Sequence, residues 1–330
     1  MTAVAPSLCV GATLIHGWKV DGRWEAADDS FRGRRLGNTD DVSAKTTIAV
    51  LGTGTLGLPV ARNLGRAGFP VRAWNRTPAK AAPLSRDGVE VVDTPADALI
   101  GADALITLLS DGAAVKEVTE PFLGVAERGA TWIQMSTVGV GFTERLGALA
   151  AQHGLVFVDA PVLGTREPAE KGELLVFASG PESAHAFCEP IFEPLARSVR
   201  WVGAAGYGSR FKLVVNTWLL ALVEGAAESI ALAEGLGIDP HDFLETVAGG
   251  PLDAPYLQLK GRLMIERRFD PSFKASLAEK DAELVLEAAQ RAGVDLRLDD
   301  AVRKAYEKTI ELGHGDDDLA AVIEATGRAS

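Results

Sequence analysis

The run Thr47-Ile48-Ala49-Val50-Leu51 leads straight into Gly52-Thr53-Gly54-Thr55-Leu56-Gly57, and a stretch of helical periodicity then lasts to Arg66. A short β-branched apolar run suits a strand buried on both faces of a parallel sheet. The first glycine permits a tight turn, the second lets the backbone approach a pyrophosphate, and the third lets helix pack on strand. The pyrophosphate is then expected at the helix N-terminus, where free N–H groups and the helix dipole favour an anion. Glycines are common in turns, so a purely structural βα turn is the competing reading. The strand before and the helix after favour a dinucleotide site, with Gly52, Thr53, Gly54, Thr55, Leu56 and Gly57 as its cradle. Gly68 suits the helix stop.

The end of the next strand, Val71-Arg72-Ala73-Trp74, refines the cofactor. A site that prefers NAD usually places an acidic residue about 20 positions on, to bind the ribose 2′-hydroxyl. This chain has Asn75-Arg76-Thr77 there instead. A neutral Asn75 removes the charge that repels a 2′-phosphate, Arg76 can grip one bidentately, and Thr77 adds a hydroxyl. NADP(H) is therefore the expected cofactor, with NAD(H) as the alternative.

Further strands are expected at Ala104 to Leu109, Thr131 to Met135 and Val156 to Val158, separated by Ala-rich helical segments. That alternation means βαβ units and a doubly wound sheet. After Gly206 the strand signals stop. Phe211 to Leu236 reads as one long helix, followed by helices at Ala275 to Ala292, Asp299 to Leu312 and Asp317 to Thr326. The expected fold class is α/β: an N-terminal Rossmann sheet over residues 45–206, then an all-α domain over 207–330 for substrate and oligomerisation, with a long interdomain helix. Residues 1–44, with Trp18, Trp24 and Phe31 isolated among polar neighbours, read as an extension with little structure of its own. An over-early start would give the same pattern.

Composition excludes several functions. Lys plus Arg is 33 against 45 for Asp plus Glu, a net charge of −12, which argues against nucleic acid and anionic membrane as partners. The longest apolar stretch, Leu213 to Ala227, is broken by Asn216, Glu224 and Gly225 and falls short of a membrane span. The first basic residue is Lys19, unlike the charged opening of a secretory signal. Cys9 and Cys188 cannot make a disulfide framework, so a reducing cytoplasm is expected. The histidines show no metal-ligand spacing, and His185 with Cys188 lacks a second pair, so no metal is expected. Glu224, Glu228 and Glu234 read as the solvated or interface face of the long helix. Asp316-Asp317-Asp318 reads as a helix cap.

The segment Gly52 to Gly57 with Asn63-Leu64 and Ala67-Gly68, followed by Trp74-Asn75-Arg76-Thr77, resembles the β-hydroxyacid dehydrogenases. That family includes 3-hydroxyisobutyrate dehydrogenase, tartronate semialdehyde reductase and glyoxylate/succinic semialdehyde reductase. Met135-Ser136-Thr137 is similar to its Ser-Thr turn beside the nicotinamide. Asp159-Ala160-Pro161-Val162-Leu163-Gly164-Thr165 is similar to its substrate motif. Gly206-Tyr207-Gly208 through Lys212-Leu213 to Asn216 is similar to its catalytic segment. Lys280-Asp281 and the ending Gly315 to Ala321 also match in place, so the resemblance covers residues 46–325. It implies Leu109, Ser110, Thr137, Phe273 and Lys280 as further cofactor contacts. It also implies Ser136, Leu163, Gly164 and Thr165 around a small carboxylic acid substrate, and a homodimer or homotetramer. Where the family commonly has Ser-Gly-Gly, this chain has Leu163-Gly164-Thr165. Arg166 to Gly172 is more similar to the glyoxylate/succinic semialdehyde reductase branch.

Taken alone, Lys212 reads as an ordinary surface lysine at a helix start; the resemblance implies that it is catalytic, and the residue types say how. Lys212 and Asn216 are four apart on a predicted helix, so they share a face. A protonated amine aimed at a carbonyl oxygen donates the proton that must arrive when hydride adds to carbon, and a neutral amine takes it back in reverse. Apolar neighbours such as Leu213, Val214 and Val215 lower the pKa toward neutrality. The expected reaction is reversible reduction of a small aldehyde or keto acid to a 3-hydroxy acid. An imine reductase of related fold and a non-catalytic dinucleotide sensor are the alternatives.

Overall fold

Burial of the β-branched run on both faces decides the centre of the fold. The computed structural model describes residues 46–326, and the expected extension over residues 1–44 lies outside the described residues. β1 (Ile48–Leu51) is fully buried. Around it run β2 (Val71–Trp74), β3 (Glu90–Val91), β4 (Ala104–Thr107), β5 (Thr131–Gln134) and β6 (Val156–Asp159). All pairings are parallel, in the order β3-β2-β1-β4-β5-β6. That order reverses between β1 and β4, the switch point outside which open α/β sheets bind ligands.

Consecutive residues of β1 feed opposite layers. Ile48 and Val50 pack with Val60 and Leu64 of α1 (Gly57–Arg66), and Ala49 and Leu51 pack with Leu105, Trp132 and Leu146 on the other face. Each fully buried aliphatic side chain here stabilises by about 1.5–3 kcal/mol. On the second face lie α2 (Gly112–Thr119) and α3 (Gly139–Gln152).

A second sheet, unforeseen in the sequence, follows. β7 (Val162–Leu163) pairs antiparallel with β8 (Leu174–Ala178), and β9 (Ala196–Trp201) pairs parallel with β8 beyond α4 (His185–Phe192). The edge strand β9 exposes Arg197, Ser198 and Arg200, which masks its strand character.

α5 (Tyr207–Leu236) spans 30 residues between Gly206 and Gly237, both at positive φ. It starts four residues before the expected Phe211 because its first N–H groups find acceptors on neighbouring strands. The helical half adds α6 (Pro240–Val247), α7 (Pro255–Ile265), α8 (Ala275–Ala292) and α9 (Arg297–Thr309) around Val223, Ile230, Met264, Val302 and Tyr306. α3 packs against both α5 and α8, which joins the halves.

Two expected helices differ from the structure. Asp299 to Leu312 is α9 followed by a wider turn over Ile310–His314, opened by Gly313 at φ 96°. Asp317 to Thr326 is a 3₁₀ turn, Leu319–Ala325, capped by Asp318. Glu224 is not on a solvated face. It is half-buried, its Oε2 has no hydrogen-bond partner among the described residues, and burial, with Glu228 adding, pushes its carboxyl up to about 7. Among the described residues no helix is long and apolar enough to cross a membrane, and no acidic, His or Cys cluster could hold a metal.

Candidate active site

The glycine turn has the shape a pyrophosphate needs. Gly52 stands at φ 101°, and a Cβ on Gly57 would run into the Gly52 carbonyl. Over Gly54 the space is open, and α1 has no side-chain cap for its N-terminal N–H groups. Thr53 is buried, with its hydroxyl unpartnered among the described residues. These features fit a dinucleotide, for which Gly54 and Thr55 are exposed. Asn75 ties the turn to the second strand, because its Oδ1 accepts the Thr53 N–H at 3.0 Å and its Nδ2 donates to the Thr77 carbonyl. Arg76 and Thr77 project exposed beside it.

Along the sheet edge, the ends of β4 and β5 are knitted together. Ser136 is buried; its Oγ accepts the Leu109 N–H at 2.9 Å and donates to the Thr107 carbonyl at 3.2 Å. Gln134 holds Ser136 from both sides, its Oε1 taking the Ser136 N–H and its Nε2 giving to the Ser136 carbonyl. Ser136 is therefore spent on the backbone, and Gln134 is a supporting residue that the sequence did not reveal. Lys280 reaches in from α8. Its Nζ donates to the Thr137 carbonyl (2.8 Å) and the Ser110 carbonyl (3.0 Å), and pairs with Asp281 at 2.8 Å. Four of the expected cofactor residues, Leu109, Ser110, Thr137 and Lys280, thus meet at one place.

Lys212 and Asn216 share the buried face of α5, and Lys212 is only 7% exposed. The Lys212 amine has no hydrogen bond or ion pair among the described residues. Burial, opposed by the charge of Asp281 and helped by that of Lys280, lowers its pKa to about 8. Asn216 Nδ2 donates to Asp281 Oδ2 at 2.8 Å, which leaves its buried Oδ1 unpartnered. Asp281 therefore joins Lys280 to Asn216, and its charge also acts on Lys212. The sequence showed it only as the neighbour of Lys280.

The segment after β6 holds the remaining residues. Gly164 sits at φ 143°, and a Cβ there would meet Leu174 Cδ2 at 2.7 Å, so only glycine fits. Leu163 is half-buried and pairs with Leu175. Thr165 begins the short helix Arg166–Lys171 with its hydroxyl not engaged in capping. Phe273 is half-buried against the core of the helical half.

Known proteins resemble this chain over most of its length. Residues 47–203 match the model of the NAD-binding domain of 6-phosphogluconate dehydrogenase. Residues 206–326 match that of the NAD-binding domain of NADP-dependent 3-hydroxyisobutyrate dehydrogenase. An uncharacterised oxidoreductase of Bacillus subtilis is 38% identical over 84% of this chain and 98% of its own length. Glyoxylate/succinic semialdehyde reductase 2 of Arabidopsis thaliana is 30% identical over 87% of this chain and 81% of its own. Among solved structures, Mycobacterium tuberculosis 3-hydroxyisobutyrate dehydrogenase with L-serine superposes at a TM-score of 0.78, with 30% identity, covering 86% of this chain and 99% of that one.

Proposed function

Because the chain belongs to the β-hydroxyacid dehydrogenase family, we propose that it is an NADPH-dependent reductase of a small aldehyde acid, working reversibly on the corresponding hydroxy acid. The carrying observation is a buried, unpartnered Lys212 amine beside Asn216 and the Lys280–Asp281 pair. The Gly52–Gly57 turn would hold the pyrophosphate of NADPH, Asn75, Arg76 and Thr77 its 2′-phosphate, and Leu109, Ser110, Thr137, Phe273 and Lys280 its nicotinamide end, and the bound cofactor would supply the hydride. Lys212 Nζ gives its proton to the substrate carbonyl oxygen in reduction and takes one from the alcohol in oxidation. Asn216 Oδ1, free of any partner among the described residues, accepts from the Lys212 ammonium or from the product hydroxyl. Asp281 fixes Asn216 by occupying its amide N–H.

The Gly164 N–H and the Thr165 hydroxyl receive the substrate carboxylate. Leu163 adds an apolar wall where the family commonly has a serine, and Ser136 supports the Leu109 end of the cofactor platform. The likeness to a protein named for glyoxylate and succinic semialdehyde supports that substrate class. The paucity of cysteine fits a cytoplasmic setting.

The test is NADPH oxidation with glyoxylate, succinic semialdehyde, tartronate semialdehyde and a cyclic imine. An aldehyde acid is expected to turn over. Reduction should hold between about pH 7 and 8 and decline above pH 8 as Lys212 loses its proton, while oxidation should rise through that upper range. Arg76→Ala is expected to reduce the preference for NADPH over NADH by roughly tenfold to a hundredfold, the worth of a charge-assisted phosphate contact of ~1.5–3 kcal/mol. Turnover of the imine alone moves the assignment to an imine reductase. Tight NADPH binding without any turnover moves it to a sensor.

The exposed face of α5 is our proposed surface for a second copy of the chain. Val214, Trp218, Leu232 and Leu236 are all exposed. Fourteen residues separate Trp218 from Leu232, close to four turns, so the side chains form one stripe. Sedimentation at micromolar concentration should show a dimer or tetramer; a monomer alone rules this surface out as a self-interface.

A further inference from the structure

The helix that presents Lys212 and Asn216 has no cap of its own. Its N-cap is Gly206, at φ 96°, which offers no side chain to the first N–H groups. Two other elements meet them instead. The Gly208 N–H donates to Ser179 Oγ at 2.9 Å, just past β8. The Ser209 N–H donates to Oδ2 of Asp159, the last residue of β6, at 2.7 Å. The Ser209 hydroxyl donates to Asp159 Oδ1 at 2.7 Å, and Thr143 of α3 lies 2.9 Å from the same hydroxyl. The Ser179 hydroxyl completes the ring, 3.2 Å from Asp159 Oδ2 and 3.1 Å from the Asp159 carbonyl. Backbone bonds pair Asp159 with Ser179 in both directions, at 2.9 and 2.8 Å. A Cβ on Gly208 would come within 2.8 Å of the Asp159 carbonyl oxygen, so the helix end sits directly on the strand ends.

Asp159 and Ser179 are fully buried, and no cation pairs with Asp159 among the described residues. The side chains facing it are neutral: Gln134 from β5, Thr143 from α3, Ser179 and Ser209. Glu144 of α3 and Arg210 of α5 pair with each other in solvent, 3.7 Å apart. Lys212 stands one turn further along the helix. The counter-charge to Asp159 is the positive end of α5 itself.

We propose that Asp159 is the positioning residue for the proton donor: it pins the helix face carrying Ser209, Lys212 and Asn216 to the strand end where the substrate segment begins. The proposal rests on Lys212 being the donor. A side chain displaced by about an ångström from its productive geometry loses roughly a hundredfold in rate, so a helix of this length needs its active end fixed. Burial, opposed by the donors of Ser209 and Ser179, pushes the Asp159 carboxyl up to about 6. It is ionised at neutral pH and takes up a proton on mild acidification. With that proton on Oδ1, the Ser209 hydroxyl changes from donor to acceptor, turns its own hydrogen to Thr143, and the helix end loses its charged anchor. Asp159→Asn holds this arrangement at every pH: the amide oxygen accepts the Ser209 N–H and the amide nitrogen donates to Ser209 Oγ. Because burial disfavours the native charge, the asparagine is expected to leave stability at neutral pH unchanged or raised.

The experiment compares the wild-type full chain with Asp159→Asn and Ser209→Ala at saturating NADPH between pH 5 and 8. Wild-type kcat should fall on acidification near pH 6. The asparagine variant should show no such limb and a kcat about tenfold below the wild-type plateau. Its KM for NADPH should stay within twofold, its Tm at pH 7.5 should not drop, and amides of residues 205–213 should exchange faster. Ser209→Ala, which keeps the carboxylate, should lose about threefold in kcat and retain the limb. Wild-type kcat in Asp159→Asn, a kcat loss matched by a fall in Tm, or unchanged exchange overturns the proposal. A wild-type chain that reduces none of the aldehyde acids overturns the parent reading and this one with it. The exchange rates then distinguish that case from failure of the clamp alone.

Discussion

Lys212→Met is expected to remove turnover and to stabilise the fold in the same stroke. Lys212 is 7% exposed, and its amine has no hydrogen bond or ion pair among the described residues and a pKa lowered to about 8 by burial. Lysine in the unfolded chain titrates at 10.5. The unfolded state therefore binds more protons between about pH 8 and 10.5, and in that window stability rises with pH. Below pH 8 the whole penalty of a buried charge is present, on the order of 3 kcal/mol for a shift of this size. Methionine fills the same volume without the charge. The variant should melt several degrees higher at pH 7, with the advantage shrinking as pH approaches 10. Its kcat should fall by about 10²–10⁴-fold, the range expected for loss of a positioned proton donor. NADPH affinity should change by no more than about threefold. A variant that keeps a tenth of its activity sinks Lys212 as the donor. A lower Tm means that attraction from Asp281 outweighs desolvation. Stability surrendered for an active-site charge is a common trade in enzymes.

The sequence made some of this visible and hid the rest for identifiable reasons. β1 and the glycine turn were legible because their constraints act locally: a strand buried on both faces needs a continuous apolar run, and Gly52 and Gly57 occupy places no side chain can. β9 was not legible, because an edge strand carrying Arg197, Ser198 and Arg200 breaks the strand alternation and reads like a polar loop. The shared face of Lys212 and Asn216 followed from helical spacing, and their catalytic role from the family resemblance. The Asp281 contact to Asn216 joins residues 65 apart, and the Lys280 contacts to Ser110 and Thr137 span 170 and 143, so no periodicity could signal them. Asp159 marked only the start of a motif, since the partners of its carboxylate lie on other elements. Helical periodicity places Glu224 on a face of α5 but does not show how far that position is covered, which is what raises its carboxyl.

The acidic run near the C-terminus carries the other large effect. Asp318 lies fully buried and pairs with Lys260, also fully buried, at 2.7 Å. Its Oδ2 accepts the N–H and Oγ–H of Ser272 at 3.0 and 2.8 Å, and its Oδ1 accepts the Ala320 N–H at 3.1 Å. Burial opposes ionisation, but Lys260 and these donors outweigh it and hold the carboxyl below its ordinary value. The sign is then fixed: the contribution to stability is present above pH 3.8 and lost as pH falls through the lowered folded value. Asp318→Ala strands a buried ammonium that keeps the Ser272 Oγ and the face of the Tyr256 ring but no counter-charge among the described residues, which costs about 3–5 kcal/mol. Ser272 and Phe273 lead into α8, the helix of Lys280 and Asp281, so activity should disappear with the melted fraction while the kcat of whatever remains folded stays close to wild type. Paired replacement separates the charge from the packing. Asp318→Leu with Lys260→Met removes both ions at similar volume, and such exchanges are often neutral or better. The double variant is expected to recover most of the Tm lost by Asp318→Ala. If instead it melts as low as the single variant, the Ser272 and Ala320 hydrogen bonds are what hold the turn, and the ion pair with Lys260 is incidental to it.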